Sequence, residues 1–128
     1  MAKKILIIED QKSLIQLLSA RLKSAGYQVF SAMDGTTGLD QVPVVRPDLV
    51  ITDLALPGMN GNVIVRILKT SGQFKSIPIL MLSAFVDESM KSGVEVPADA
   101  YMPKPFEPEK LLAKVSELLS EGTLHGTK

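Results

Sequence analysis

Three short stretches of uninterrupted apolar residues limit this chain more than any other feature: Ile5-Leu6-Ile7-Ile8, Leu49-Val50-Ile51 and Ile79-Leu80-Met81-Leu82. A strand with one wet face alternates apolar and polar residues. A run that is apolar at every position needs cover on both faces, which a parallel sheet obtains from helices packed on each side. Two weaker strand candidates, Gln28 to Ser31 and Ala100 to Met102, bring the set to five.

Helical spacing fills the gaps between them. Leu14, Leu17, Leu18 and Leu22 share one face of a segment from about Lys12 to Ala25, which Gly26 ends. Val63, Ile64, Ile67 and Leu68 repeat at helical spacing after the turn Pro57-Gly58-Met59-Asn60-Gly61. Leu111, Leu112, Val115, Leu118 and Leu119 mark the clearest helix, with Pro108 suited to its first position and Glu109 to the positive end of its dipole. Two further helices are expected to be short. The one near Thr36 to Val45 carries Pro43 inside it, predicting a short or kinked helix. The one from Asp87 to Glu95 is followed by Pro97. Alternating strands and helices predict an α/β, doubly wound sheet with right-handed crossovers, whose ligands bind beyond the carboxyl ends of the strands. The domain is expected to span residues 1–121, with 122–128 a polar, flexible tail.

The chain of 128 residues is 45% hydrophobic, enough to bury a core without covalent staples, and it has no cysteine for a disulfide or a thiolate metal site. Its 14 basic and 14 acidic residues cancel, and the lysines are scattered. A protein that grips nucleic-acid phosphates carries a basic excess or stripe, so no direct nucleic-acid contact is expected. No apolar run is long enough for a secretory signal or a membrane span, so the expected location is the cytoplasm. His125, the only histidine, sits in the polar tail, and the six methionines read as core filler.

Glu9 and Asp10 follow the first strand, Asp53 the third, Ser83 the fourth and Lys104 the fifth. Singly, each is an ordinary loop or cap residue. Together they bring three carboxylates, a hydroxyl and an amine to one rim. Clustered carboxylates repel unless a cation neutralises them, and an all-oxygen set suits a hard divalent ion, magnesium above all. A carboxylate in such a site can attack phosphorus to form an acyl phosphate. Lys104 would then neutralise one phosphoryl oxygen, and the Ser83 hydroxyl would donate to another.

Over residues 4 to 120 the chain resembles bacterial response-regulator receiver domains, including the single-domain chemotaxis kind. The likeness rests on Glu9-Asp10, on Asp53 with Leu56-Pro57-Gly58-Met59-Asn60-Gly61, on Ser83-Ala84, and on Ala98-Asp99-Ala100-Tyr101 leading into Lys104-Pro105-Phe106. It implies a flavodoxin-like sheet of order 2-1-3-4-5 and a phosphorylation-dependent switch. Asp53 would be the phosphoacceptor; Glu9, Asp10, Asp53 and the backbone carbonyl of Ala55 would bind Mg2+. Ser83, Tyr101 and Lys104 would be the switch residues, with a cis bond before Pro105. The implied partners are a histidine kinase or phosphotransfer protein and a downstream protein target. That target would read the surface of the fourth and fifth helices and fifth strand, and a phosphorylation-dependent homodimer is a further implication. Three features depart from the family, the first being a stretch from Ser83 to Lys104 one residue shorter than in many relatives. Pro97 stands where a glycine usually precedes the Ala-Asp pair. The bulky Phe85 is expected to slow hydrolysis of the acyl phosphate.

Three other classes fit less well. A phosphohydrolase of the haloacid dehalogenase type needs a second aspartate two residues past the nucleophile, where this chain has Ala55. A binding module that works without phosphorylation would be expected to lack Asp53, Lys104 or the acidic pair. A flavodoxin-like electron carrier needs a hydroxyl- and glycine-rich loop where Glu9-Asp10-Gln11-Lys12 stands.

Overall fold

The computed structural model describes the backbone of residues 2–84 and 96–126. Its elements are β1 (Lys4–Ile8), α1 (Lys12–Ser24), β2 (Gln28–Ala32), α2 (Gly35–Val45), β3 (Leu49–Asp53), α3 (Gly61–Lys69), β4 (Ile79–Ser83), β5 (Ala100–Pro103) and α4 (Pro108–Gly126). The helix expected from Asp87 to Glu95, and Phe85 with it, lies outside the described residues.

All five strands are parallel, in the order β2-β1-β3-β4-β5. β1, β3 and β4 lie in the middle and are buried almost throughout, as continuous apolar runs require. Alternate residues serve opposite faces. Ile5, Ile7, Leu49, Ile51, Leu80 and Leu82 meet Leu18 and Leu22 of α1 and Leu111, Val115 and Leu118 of α4. Leu6, Ile8, Val50, Ile79 and Met81 meet Val42 of α2 and Ile64, Val65 and Leu68 of α3. The sheet therefore lies between two helical layers.

The caps follow local chemistry. Asp34 accepts the Thr37 amide at 2.7 Å to begin α2, and Asn60 accepts the Asn62 amide at 2.7 Å to begin α3. Gly26, at φ 98°, ends the α1 turn in a conformation that side chains disfavour. At the amino end of the sheet, Lys69 Nζ lies 2.6 Å from Asp99 Oδ2 and donates to the Ile77 carbonyl at 2.9 Å. The same Asp99 oxygen accepts the Ile79 amide at 2.7 Å. This node joins the end of α3, the start of β4 and the residue before β5.

Three details differ from expectation. α2 runs unbroken through Pro43 for 11 residues. The proline sits in the last turn, so it removes only the bond that its amide would make to the Leu39 carbonyl, and the Arg46 amide closes the helix on Val42 at 2.8 Å. On α3, Val65 is buried where Ile67 was expected, and Ile67 is 43% exposed. The helix is only 9 residues long, and its apolar arc is wider than one sheet contact can cover. The last helix continues to Gly126, past the expected start of the tail, because extending an existing helix adds a bond for each residue fixed.

Replacing Leu68 by alanine should cost roughly 2–5 kcal/mol of stability, and Ile67→Ala roughly 1 kcal/mol or less, as read from urea unfolding midpoints. Equal losses would contradict this orientation of α3.

Candidate functional site

Parallel pairing sends all the strands' carboxyl ends to one edge. Ile8 pairs with Thr52 across β1 and β3, so Glu9 and Asp53 follow as neighbours. Asp53 pairs with Leu82 of β4, and Ser83 with Pro103 of β5, which delivers Lys104 to the same rim. Glu9 is fully buried, Asp53 and Ser83 are buried, and Asp10 is exposed.

Lys104 holds the carboxylates together. Its Nζ donates to Glu9 Oε1 at 2.8 Å and lies 3.1 Å from Asp53 Oδ2. The other Glu9 oxygen, Oε2, accepts the Gln11 amide at 2.9 Å, so both oxygens of this buried group are satisfied. Burial raises the Glu9 carboxyl above the ordinary range, and this outweighs the hydrogen bonds from Lys104 and the Gln11 amide. Burial pulls the Lys104 ammonium the other way. Its hydrogen bonds to Glu9 and Asp53, together with their charge, more than offset this, and its pKa rises. Lys104 is thus a firmly charged cation at neutral pH.

Ligand oxygens of Glu9, Asp10 and Asp53 all lie within 4.8 Å of one another. An octahedral ion with bonds of about 2.1 Å holds neighbouring oxygens about 3.0 Å apart and opposite ones about 4.2 Å apart, so the carboxylates would draw together around it. The donors are hard, with no histidine or cysteine among them, and they fit magnesium better than a softer metal.

The other expected residues fall into two groups. Ser83 closes β4 on the rim, and its carbonyl accepts the Lys104 amide at 2.7 Å. The Lys104-Pro105 bond is cis. Ala55 lies two residues past Asp53, exposed on the loop before α3. Tyr101 belongs to β5. Its half-buried ring packs with the core under α2 and α3, and its hydroxyl accepts the Ala98 amide at 3.0 Å.

Sequence reasoning missed three supports. The Gln11 amide fixes Glu9. The Thr52 hydroxyl, fully buried, donates to the Asp53 carbonyl at 3.0 Å. Gly61 leaves no room for a side chain: a Cβ there would lie 2.5 Å from the Asp53 carbonyl oxygen. Gly61 was legible only as part of a turn. A backbone amide carries no signature of its partner, and Thr52 reads as an ordinary strand residue.

Comparison with known proteins places this geometry. Residues 5–116 match the family described as response regulator receiver domain. The chain is 40% identical over 116 residues to the DNA-binding response regulator MtrA of Mycobacterium tuberculosis, covering 90% of this chain and 50% of that protein. It is 39% identical over 120 residues to the alkaline phosphatase synthesis transcriptional regulatory protein PhoP of Bacillus subtilis, covering 93% and 49%. The chain therefore spans about half the length of these curated relatives. Among solved structures it is similar to the chemotaxis response regulator CheY4 of Vibrio cholerae, with a TM-score of 0.86 and 34% identity over 92% of this chain and 99% of that one.

Because Lys104 neutralises a fully buried carboxylate, Lys104→Met should lower stability by roughly 1–3 kcal/mol in chelator-treated protein, measured by urea unfolding. No loss would mean that the bridge contributes nothing.

Proposed function

The chain belongs to the response regulator receiver domain family, the phosphorylation-dependent switches of two-component signalling, and on that premise we propose that Asp53 is the residue phosphorylated. The observation that carries this reading is the Lys104 ammonium held between Glu9 and Asp53 at the joined ends of β1, β3 and β5. That pairing aims the Lys104 ammonium at the Asp53 carboxylate, the group that would attack phosphorus.

The donor is a phosphohistidine on a kinase or phosphotransfer protein, or a small phosphodonor. An Asp53 oxygen forms a bond to phosphorus as the bond from phosphorus to the leaving atom breaks. The leaving group keeps that electron pair, and the product is an acyl phosphate. Magnesium held by Glu9, Asp10, Asp53 and the Ala55 carbonyl would neutralise charge on the transferred oxygens. Lys104 already points its ammonium at Asp53 and can follow a phosphoryl oxygen with little movement. The Ser83 hydroxyl, buried at the end of β4, would donate to another.

Readout runs through Tyr101. Drawing Ser83 toward the phosphoryl group opens space that the Tyr101 ring fills, releasing the Ala98 amide from its hydroxyl. The surface around β5, α4 and the segment before β5 changes shape for a downstream protein partner or a second copy of the chain. The domain assists only its own phosphorylation and dephosphorylation, and Ala55, in place of a general acid, fits a switch more than a turnover catalyst. With no net charge, these residues act without direct nucleic-acid contact. We place the domain in the cytoplasm. No helix among the described residues is long and apolar enough to cross a membrane.

Intact-mass analysis after treatment with acetyl phosphate and Mg2+ should show one phosphoryl adduct on the wild type. Asp53→Asn, or chelation of the metal, should abolish it. An adduct that survives Asp53→Asn would reassign the acceptor.

A further inference from the structure

Helix α2 carries buried glycines at 35 and 38, one helical turn apart. Neither has a positive φ, so backbone conformation does not call for glycine at these sites; space does. A Cβ on Gly38 would lie 2.5 Å from Ile8 Cδ1 and 2.7 Å from Ile8 Cγ1, on the residue before Glu9. A Cβ on Gly35 would lie 2.9 Å from both Cβ and Sδ of Met59, on the loop that follows Asp53. One face of α2 therefore seats against both carriers of the acidic cluster.

The two contacts differ in kind. The Ile8 atoms belong to a side chain that can change rotamer. At Gly35 the contact includes Met59 Cβ, which is bonded to the loop backbone and which no rotamer change can withdraw. The loop itself has little slack. Gly61 donates to the Leu54 carbonyl at 2.8 Å, and a Cβ on it would lie 2.5 Å from the Asp53 carbonyl oxygen. A push on Met59 is therefore passed along residues 54–58, which include Ala55.

We propose that Gly35 and Met59 form a positioning contact: α2, by seating on Met59, sets where the loop holds the Ala55 carbonyl relative to Glu9, Asp10 and Asp53. Neither residue touches the ion. The inference rests on the reading of the cluster as a magnesium site.

Calorimetric titration of the whole chain with MgCl2 tests it, with thermal midpoints followed in parallel. Gly35→Ala should weaken Mg2+ binding roughly tenfold, the scale at which supports behind metal ligands act. In a Met59→Gly background, where Cβ and the thioether are gone, the same substitution should change affinity by no more than roughly a factor of two. Val42→Ala, which hollows the core under α2 about two turns along from Gly35, should lower the thermal midpoint and leave affinity unchanged. Wild-type affinity in Gly35→Ala, an equal loss in both backgrounds, or an equal loss in Val42→Ala would each overturn the positioning role while leaving the metal site standing. If Gly35→Ala does not fold, Met59→Gly alone should still weaken Mg2+ binding, and unchanged affinity would overturn the role. Absence of Mg2+ binding by the wild type would overturn the metal reading, and the inference with it.

Discussion

Parallel strands all end on the same side, and most of this molecule follows from that. β1, β3 and β4 are apolar on both faces, so ionisable groups are excluded from their length and gather where the strands stop. Register then decides which groups meet. Because Ile8 pairs with Thr52, Glu9 emerges beside Asp53; because Ser83 pairs with Pro103, Lys104 arrives next to both.

Crowding carboxylates at the edge of an apolar sheet is unfavourable unless charge and hydrogen bonds compensate. Three compensations operate. Lys104 supplies a positive charge shared by Glu9 and Asp53, the Gln11 amide satisfies the second Glu9 oxygen, and Asp10 stays in water. The balance is incomplete by design of the residues themselves: three acids face one ammonium. That residual negative charge gives the rim its appetite for a divalent cation, and the apolar packing that buries Glu9 keeps water away, so that each charge counts.

How much of this was legible before the structure depended on range. The three apolar runs carry their burial in their own composition, and the strand ends place Glu9, Asp10, Asp53, Ser83 and Lys104 by simple counting. Which arc of α3 faces the sheet was not legible, because Val65 and Ile67 are both apolar β-branched residues and only the packing of the helix chooses between them. Pro43 misled because a helix's length depends on what it packs against as well as on its worst residue, and Val42 beside it is anchored in the core. The Gln11–Glu9 bond and the fit of Met59 on Gly35 depend on backbone positions that no residue type announces.

The node of Lys69 and Asp99 bears on how force moves through the sheet. Asp99, the residue before β5, is tied to the Ile79 amide and to the Lys69 ammonium at the end remote from the acidic rim. Four residues of strand later, Lys104 is tied to the carboxylates. β5, paired with β4 along its length, is thus tied at its amino end through Asp99 and at its carboxyl end through the Lys104 ammonium. A change in charge at the rim therefore reaches β5 first through Lys104, at the opposite end from its tie to Asp99.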